Sequence, residues 1–551
     1  MASFANKIKQ NKKYFIAFLI ILIVGIFLRT YHYSDLLRFG KDQARDAVLI
    51  RNVVQGKTPW PLLGPNMGKL NFDLGPMFYY FQIMSAKIFG FSPVTIAYPD
   101  LLFSILTIPM LFFFLKKYFD NLISISLTAL YAVSFYAVQN GRFAWNQNSL
   151  MFFSMLFLYA FLELANKNRR KKWPWIILAG AALGIGVQLH LLFAAIVGIV
   201  FFIFAIYLIR KNLLTLKNAA LVLLIAFVLN IPQFVSEIQT HGGNVRAFFS
   251  GTGQETQDSN PFPTNIFIDA AWHAQADSMF VAPYRDDTSL HIENLSDSLS
   301  GSKNETAAII KHWPDILYAG LGIILSLIGY IFLFYCARKE KNERKRLFLQ
   351  LIALYAITAF LVMIPLSHVL ELRYMLIVQF VPFILLGLLI KLLEEKYGRR
   401  MIYISLIALA FLFAWNANAV WSGFQSFLKG KGDTGIAIWK EEAAAGKFIL
   451  SNSSPNQIVR MVYIPAKSDK FIRPLAFFNG SVDDDIDAPP ETQNEILPPV
   501  KNAAYFALIL HSKTAQKKLK QEIKKSGTYR IAASATFGRL EIYRLEAVRP
   551  N

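Results

Sequence analysis

Apolar runs of about twenty residues, each enough to cross a hydrocarbon core of roughly 30 Å, recur along the first three quarters of this chain. No other feature limits the possible folds so tightly, because a backbone in lipid must satisfy its hydrogen bonds within each segment. About eleven runs can be read. Seven lie near Tyr14 to Leu28, Val94 to Leu115, Leu122 to Val138, Leu150 to Leu164, Trp175 to Gln188, His190 to Ile209 and Ala219 to Phe234. Four more follow a long polar break, at Ile316 to Cys336, Phe348 to Leu366, Met375 to Leu393 and Ile402 to Trp421. The fifth and sixth run together through Gly184 to His190, so their boundary is the least defined. With 54% hydrophobic residues, 48 Phe and only 17% charged residues, the chain is expected to be a mostly α, polytopic membrane protein.

Orientation follows from Lys and Arg in short loops, which stay on the cytoplasmic side. The clusters at Lys7 to Lys13, Lys116-Lys117, Lys167 to Lys172, Arg210-Lys211, Arg338 to Arg346 and Lys396 to Arg400 all fall on one face. This predicts a multi-pass cell-membrane protein with a cytoplasmic N-terminus. The net charge of +21 is then mostly topology and requires no nucleic acid. Bulky Phe27 to Tyr31 offers no small-residue cleavage site, so the first run is expected to be an uncleaved anchor. The opposite, outer face receives loops 32–93 and 236–313, the Gln139 to Gln147 loop, the Ser367 to Arg373 turn and everything after about Gly432. Two domains are expected: a membrane domain over 1–430 and a soluble extracytoplasmic α/β domain over 431–551. In the latter, Gln457 to Ile464, Tyr505 to Leu510, Tyr529 to Ala533 and Leu540 to Leu545 read as β-branched and aromatic strands, with a basic helix at Lys513 to Lys525. Its lack of a nucleotide-binding glycine pattern points to support or acceptor recognition.

Three carboxylates crowd beside the first span. Asp42-Gln43-Ala44-Arg45-Asp46 is followed about thirty residues later by Phe72-Asp73-Leu74-Gly75-Pro76-Met77-Phe78-Tyr79-Tyr80. Acids at a membrane edge are costly, and a functional site is the default explanation; solvated loop acids are the plain alternative. If the first stretch is helical, Asp42 and Asp46 share a face, and such a pair can raise one pKa or hold a divalent cation on oxygen ligands. The scattered His190, His241, His273, His291 and His368 show no zinc spacing. His190 in an apolar run is read as a packing residue. The lone Cys336 excludes an internal disulfide. The sequons at Asn294, Asn304, Asn452 and Asn479 all fall on the expected outer face.

The order of parts resembles the membrane-embedded glycosyltransferases with the GT-C fold, in particular the protein O-mannosyltransferase and aminoarabinose transferase superfamily. In that family an Asp followed by Glu, Arg and an aromatic opens the first outer loop. Asp42 and Arg45 match; Gln43 and Asp46 depart. The aromatic-rich segment with Pro is matched by Phe72 to Tyr80, where the family's basic or His residue is absent. The resemblance spans roughly Ala17 to Trp421. It implies a transferase, for hexosyl or pentosyl transfer, using a polyprenyl-phosphate sugar donor and a lipid, glycan or protein acceptor in the cell envelope. Activating an acceptor hydroxyl against a lipid-phosphate leaving group calls for a base and for cations at the phosphate. Asp42 is the expected base, acting with inversion, and Asp46 its helper. Arg45, Asp73, Tyr79, Arg142, Asn146 and Arg373 are the expected substrate contacts, with Lys69 a further outer-face cation by position; Arg373 is equally readable as a helix-end anchor and Trp145 as part of the interfacial aromatic belt. Three other readings stay open: a multi-span transporter, which usually shows internal repeats and mid-bilayer acids; a glycan polymerase or ligase, which usually places its key residues in a late loop; and a non-catalytic membrane scaffold, since Gln43 and Asp46 break the usual motif.

Overall fold

The computed structural model describes residues 12–67, 72–254, 266–283, 305–367, 370–433, 435–454, 457–463, 474–475, 477 and 503–548. The positions Lys69, His291, His368, Asn294, Asn304 and Asn479 lie outside them.

Among the described residues, six helices are long and apolar enough to span a membrane: Lys12–Thr30, Pro93–Leu115, Leu191–Arg210, Gly320–Lys339, Glu343–Leu366 and Arg400–Leu428. Two bent pairs, Leu216–Leu229 with Ile231–Gln239 and Leu372–Val378 with Val381–Tyr397, each turn by 57° and bring the number to eight if each is one span. Three further apolar helices, Asn121–Val133, Leu150–Ala165 and Trp173–Leu189, are shorter. The expectation of about eleven crossings therefore meets six to eight helices of spanning length, because several apolar runs fold as bent or short segments. Proline explains both bends: Pro232 and Pro382 sit in the first turn of the second helix, where a missing N–H costs nothing. The outward faces of these helices carry exposed Ile20, Ile23, Phe202, Phe227, Ile331 and Ile407, apolar side chains that only lipid suits.

The poorly defined boundary resolves at His190. Its extended backbone (φ −164°, ψ 142°) ends Trp173–Leu189, and its Nδ1 accepts the Leu192 N–H to cap Leu191–Arg210. A second break, at Ser134, is repaired from a distance. Asn416 accepts the Phe135 N–H on its Oδ1 and donates from Nδ2 to the carbonyls of Leu412 and Val281.

After the last long helix the chain forms a four-stranded sheet in the order β1-β2-β4-β3. The strands are β1 (Ile458–Tyr463), β2 (Ala503–Leu510), β3 (Tyr529–Phe537) and β4 (Leu540–Ala547). β1 runs parallel to β2, and the other pairs are antiparallel. β2 is apolar throughout because both its faces are covered. Tyr505, Ala507 and Ile509 meet Leu519 and Ile523 of helix Lys513–Ser526, while Ala504, Phe506 and Leu508 meet Ala445 and Ile449 of helix Trp439–Ser451. All four expected strands and the basic helix are present within a few residues of their expected bounds.

Among the described residues this sheet module meets the membrane domain along a short ladder and also through Phe477, whose carbonyl accepts from the Arg51 guanidinium at 3.4 Å, and through Arg539, which lies over Phe427. Phe39 N–H donates to the Ala437 carbonyl at 3.0 Å and Trp439 N–H to the Leu37 carbonyl at 2.8 Å, with an antiparallel bridge between Arg38 and Ile438. The rings of Phe39 and Trp439 meet edge to face at 5.1 Å. The acidic motif begins three residues further on.

Candidate functional site

The acidic motif is helical over Lys41–Val54, and Asp42 stands in its first turn, where a negative charge complements the helix dipole. The two acids fare differently. Asp42 is half exposed (side chain 47%) and Asp46 is buried (6%). Arg45 spans both: its guanidinium lies 3.5 Å from Asp42 Oδ1, and its Nε and Nη2 lie 2.9 Å from Asp46 Oδ1. The Tyr79 hydroxyl donates to the same Asp46 oxygen at 2.9 Å. Burial pushes the Asp46 carboxyl up to about 6, against the pull of Arg45 and Tyr79. Burial, with the negative charge of Asp46 beside it, holds the Tyr79 phenol well above its usual range, so it stays a donor. Between the paired acids the positive charge is thus supplied by Arg45. Among the described residues no three His, Cys, Asp or Glu side chains gather closely enough to hold a metal ion.

Gln43, the departure from the family pattern, is buried and uses both ends of its amide. Oε1 accepts the Gly40 N–H at 3.0 Å, closing the first turn, and Nε2 donates to the Ala144 carbonyl at 3.0 Å. That second bond fixes the acidic helix to the Gly141 to Ser149 segment. The segment is itself held from below by Asp100, whose carboxylate accepts the Trp145 N–H, and by Asn146, whose Nδ2 donates to the Leu189 carbonyl at 2.7 Å. Asn146, expected to meet substrate, therefore anchors its own loop to the break at His190.

Arg142 is likewise occupied. It donates to the carbonyls of Leu28, Arg29 and Tyr31 at 2.7–2.9 Å and lies over Phe424, so it caps the C-terminal end of the first helix rather than facing an anion. Its charge belongs with the orphan carbonyls of that helix, a partner invisible in the local sequence. Asp73 sits on a small antiparallel bridge with Asn66, takes the Asn66 Nδ2 at 2.9 Å, and its backbone is gripped at both N–H and carbonyl by Asn244. Gly75 next to it has no room for a side chain: a Cβ would lie 2.2 Å from Gln188 Cγ.

Arg373 is where cations gather. Its guanidinium lies over the Trp145 ring at 5.3 Å, and Arg38 lies over the same ring at 5.8 Å. Arg373 also pairs with Glu371 at 2.7 Å, while its Nε is buried without a partner among the described residues. Sequence reasoning missed Arg38; the only signal was its position just ahead of the acidic motif. Trp145, expected in the aromatic belt, has two guanidinium groups against its ring. Asp42, Arg45, Asp46 and Tyr79 are thus brought together, and Gln43 joins them through Ala144 to Trp145, Arg38 and Arg373.

The chain has the GT-C fold of membrane-embedded glycosyltransferases. Residues 73–235 match the family described as dolichyl-phosphate-mannose-protein mannosyltransferase. The whole chain superposes on ArnT from Cupriavidus metallidurans in the apo state, with a TM-score of 0.51 at 11% identity, covering 97% of this chain and 98% of that one. The same enzyme bound to undecaprenyl phosphate matches with a TM-score of 0.50, again at 11% identity and over 97% and 98% of the two chains. No curated protein sequence matches the chain.

Proposed function

We propose that this protein transfers a sugar from a polyprenyl-phosphate donor to an acceptor hydroxyl at the extracytoplasmic face of the membrane. The observation that carries the reading is the division of labour within one helix: Asp46 is buried and engaged by Arg45 and Tyr79, while Asp42 is left half exposed one turn away. A general base must reach substrate, and half exposure leaves the Asp42 carboxylate open to an acceptor. In the proposed step Asp42 takes the proton of the acceptor hydroxyl as that oxygen attacks the anomeric carbon. The bond from that carbon to the phosphate oxygen breaks, and the electron pair stays on the phosphate. A single displacement of this kind inverts the anomeric carbon and needs no carboxylate nucleophile. Arg373 and Arg38, both against Trp145, are suited to the growing phosphate charge, since guanidinium forks match phosphate oxygens in pairs.

The likeness to an ArnT that binds undecaprenyl phosphate supports the donor class, and the mannosyltransferase family match over 73–235 supports sugar transfer. The basic loops on one face support the outward placement of the acids and of the C-terminal module. Acceptors of three kinds, lipid, glycan and protein, offer the hydroxyl this chemistry requires.

The test is incubation of the purified protein in lipid nanodiscs with a panel of polyprenyl-phosphate sugars, following release of polyprenyl phosphate. Wild type should turn over at least one donor, and Asp42→Asn should lose about 10²–10⁴-fold in kcat. Unchanged turnover in Asp42→Asn would remove Asp42 as the base, and solute transport without any release would mean a transporter.

A further inference from the structure

His190 is 2% exposed and sits at the junction of Trp173–Leu189 and Leu191–Arg210. Its Nδ1 accepts the Leu192 N–H at 3.2 Å, which requires a lone pair on that nitrogen. A doubly protonated ring has none there, so the ring is neutral and its single proton is on Nε2. That N–H is buried and has no partner among the described residues.

A cap alone does not explain the residue. Ser or Thr would accept the same N–H with a hydroxyl free to turn its own hydrogen toward a helix carbonyl, whereas the imidazole fixes its second donor in a buried place, and an orphaned buried donor costs about 1–3 kcal/mol. The Nε2–H also has a particular neighbourhood. The imidazole lies 5.6 Å from the Tyr374 ring, and the charge of Arg373 bears on it. Arg373 carries the other orphan, a buried Nε–H, and its guanidinium lies 5.1 Å from the Tyr374 ring and 5.3 Å from Trp145. Asn146 ties the Trp145 loop to Leu189, the residue before His190. Two unpartnered donors, one neutral and one cationic, thus flank one tyrosine. A phosphate presents several anionic oxygens and so suits two such donors on either side of one ring, and a charge-assisted bond to it is about twice as strong as a neutral one.

We infer that His190 and Arg373 form the seat of the lipid carrier's phosphate, with His190 donating its Nε2–H to a phosphate oxygen. This rests on the donor class proposed above and adds to it a residue read from sequence as packing. His190 transfers no proton; it holds the leaving group before and after the sugar departs.

Two substitutions separate the capping role from the binding role. His190→Asn keeps an oxygen where Nδ1 accepts the Leu192 N–H but cannot reach as far as Nε2. His190→Gln extends an amide N–H to the Nε2 position and gives up the cap. Binding of undecaprenyl phosphate to the full-length protein in nanodiscs is followed by tryptophan fluorescence, with the phosphate-free polyprenol as control and a thermal melt for each variant. Asn should melt with wild type and weaken undecaprenyl phosphate by about tenfold or more, leaving polyprenol unchanged. Gln should melt lower and bind within about threefold of wild type. Wild-type affinity in Asn, or loss of affinity in Gln in step with its stability, overturns the assignment and leaves the transferase reading intact. Absence of undecaprenyl phosphate binding in wild type overturns both, and displacement of the lipid by micromolar inorganic phosphate reassigns the seat to free phosphate.

Discussion

Gln43 donates from one end of its amide and accepts at the other, and a carboxylate in its place would present an oxygen to the Ala144 carbonyl. Gln43→Glu should therefore lower stability by about 1–3 kcal/mol near neutral pH, the cost of a buried polar group without its partner, and recover it in acid as the carboxyl protonates. A pair of thermal melts at pH 5 and pH 8 checks this, and equal losses at both would refute the carbonyl clash. Asp46 makes the opposite kind of statement. Its carboxyl titrates at about 6 in the fold and near 3.9 in an unfolded chain, so its contribution to stability is complete below about pH 4 and is lost as pH rises through about 6. The melting temperature of wild type minus that of Asp46→Asn should then fall between pH 4 and pH 7. Turnover runs the other way: protonation of Asp46 weakens its hold on Arg45, so activity should drop as pH falls through about 6, and Asp46→Asn should lack that acid limb. The acidic motif itself could be read from the chain. The capping role of Arg142 could not, because its carbonyl partners lie more than one hundred residues away.

At the scale of elements, the helix Trp439–Ser451 is held to the β3–β4 turn by a buried ion pair. Arg539 meets Glu441 through Nε and Nη2 at 2.6–3.1 Å, and its own N–H donates to Glu441 Oε1 at 2.9 Å. Gly538 permits this approach: it has a positive φ of 61°, and a Cβ there would lie 2.2 Å from Glu441 Oε1. Gly538→Ala should cost several kcal/mol of stability, since both the backbone and the carboxylate oppose it. Glu442 beside it is fully buried, both oxygens without a partner among the described residues, and burial together with Glu441 holds its carboxyl well above the usual carboxylate range. Stability from that group is present in acid and lost as pH rises through its raised pKa, so Glu442→Gln should melt higher than wild type at alkaline pH and equally in acid. The strands were legible because alternating or fully apolar runs have a period that helices lack, and the basic helix because its charges lie on one side. The bends at Pro232 and Pro382 were legible only in part: proline marks a start without saying whether the preceding turn stops or tilts.

For the whole molecule, the decisive join is the short ladder between residues 37–39 and 437–439, which the sequence gives no means of pairing, since neither segment has strand length. It couples the C-terminal module to the acidic helix through Phe39 and Trp439, and it approaches Arg373 through Arg38, which pairs with Ile438 and lies over Trp145. Consequences for the two halves of the proposed reaction should still differ. Loosening the join lets the first turn of Lys41–Val54 move, and misplacement of a base by about 1 Å can cost roughly 10²-fold in rate. The phosphate seat hangs on the Gly141 to Ser149 segment, the His190 break and the Leu372–Val378 turn, all secured within the membrane helices. Trp439→Ala, which removes the ring on Phe39 while sparing the backbone bonds, should lower kcat by about tenfold or more and change the dissociation constant for undecaprenyl phosphate by less than about threefold. Parallel loss of both would mean that the module supports the membrane domain as a whole, whereas loss of turnover alone assigns it to holding Asp42.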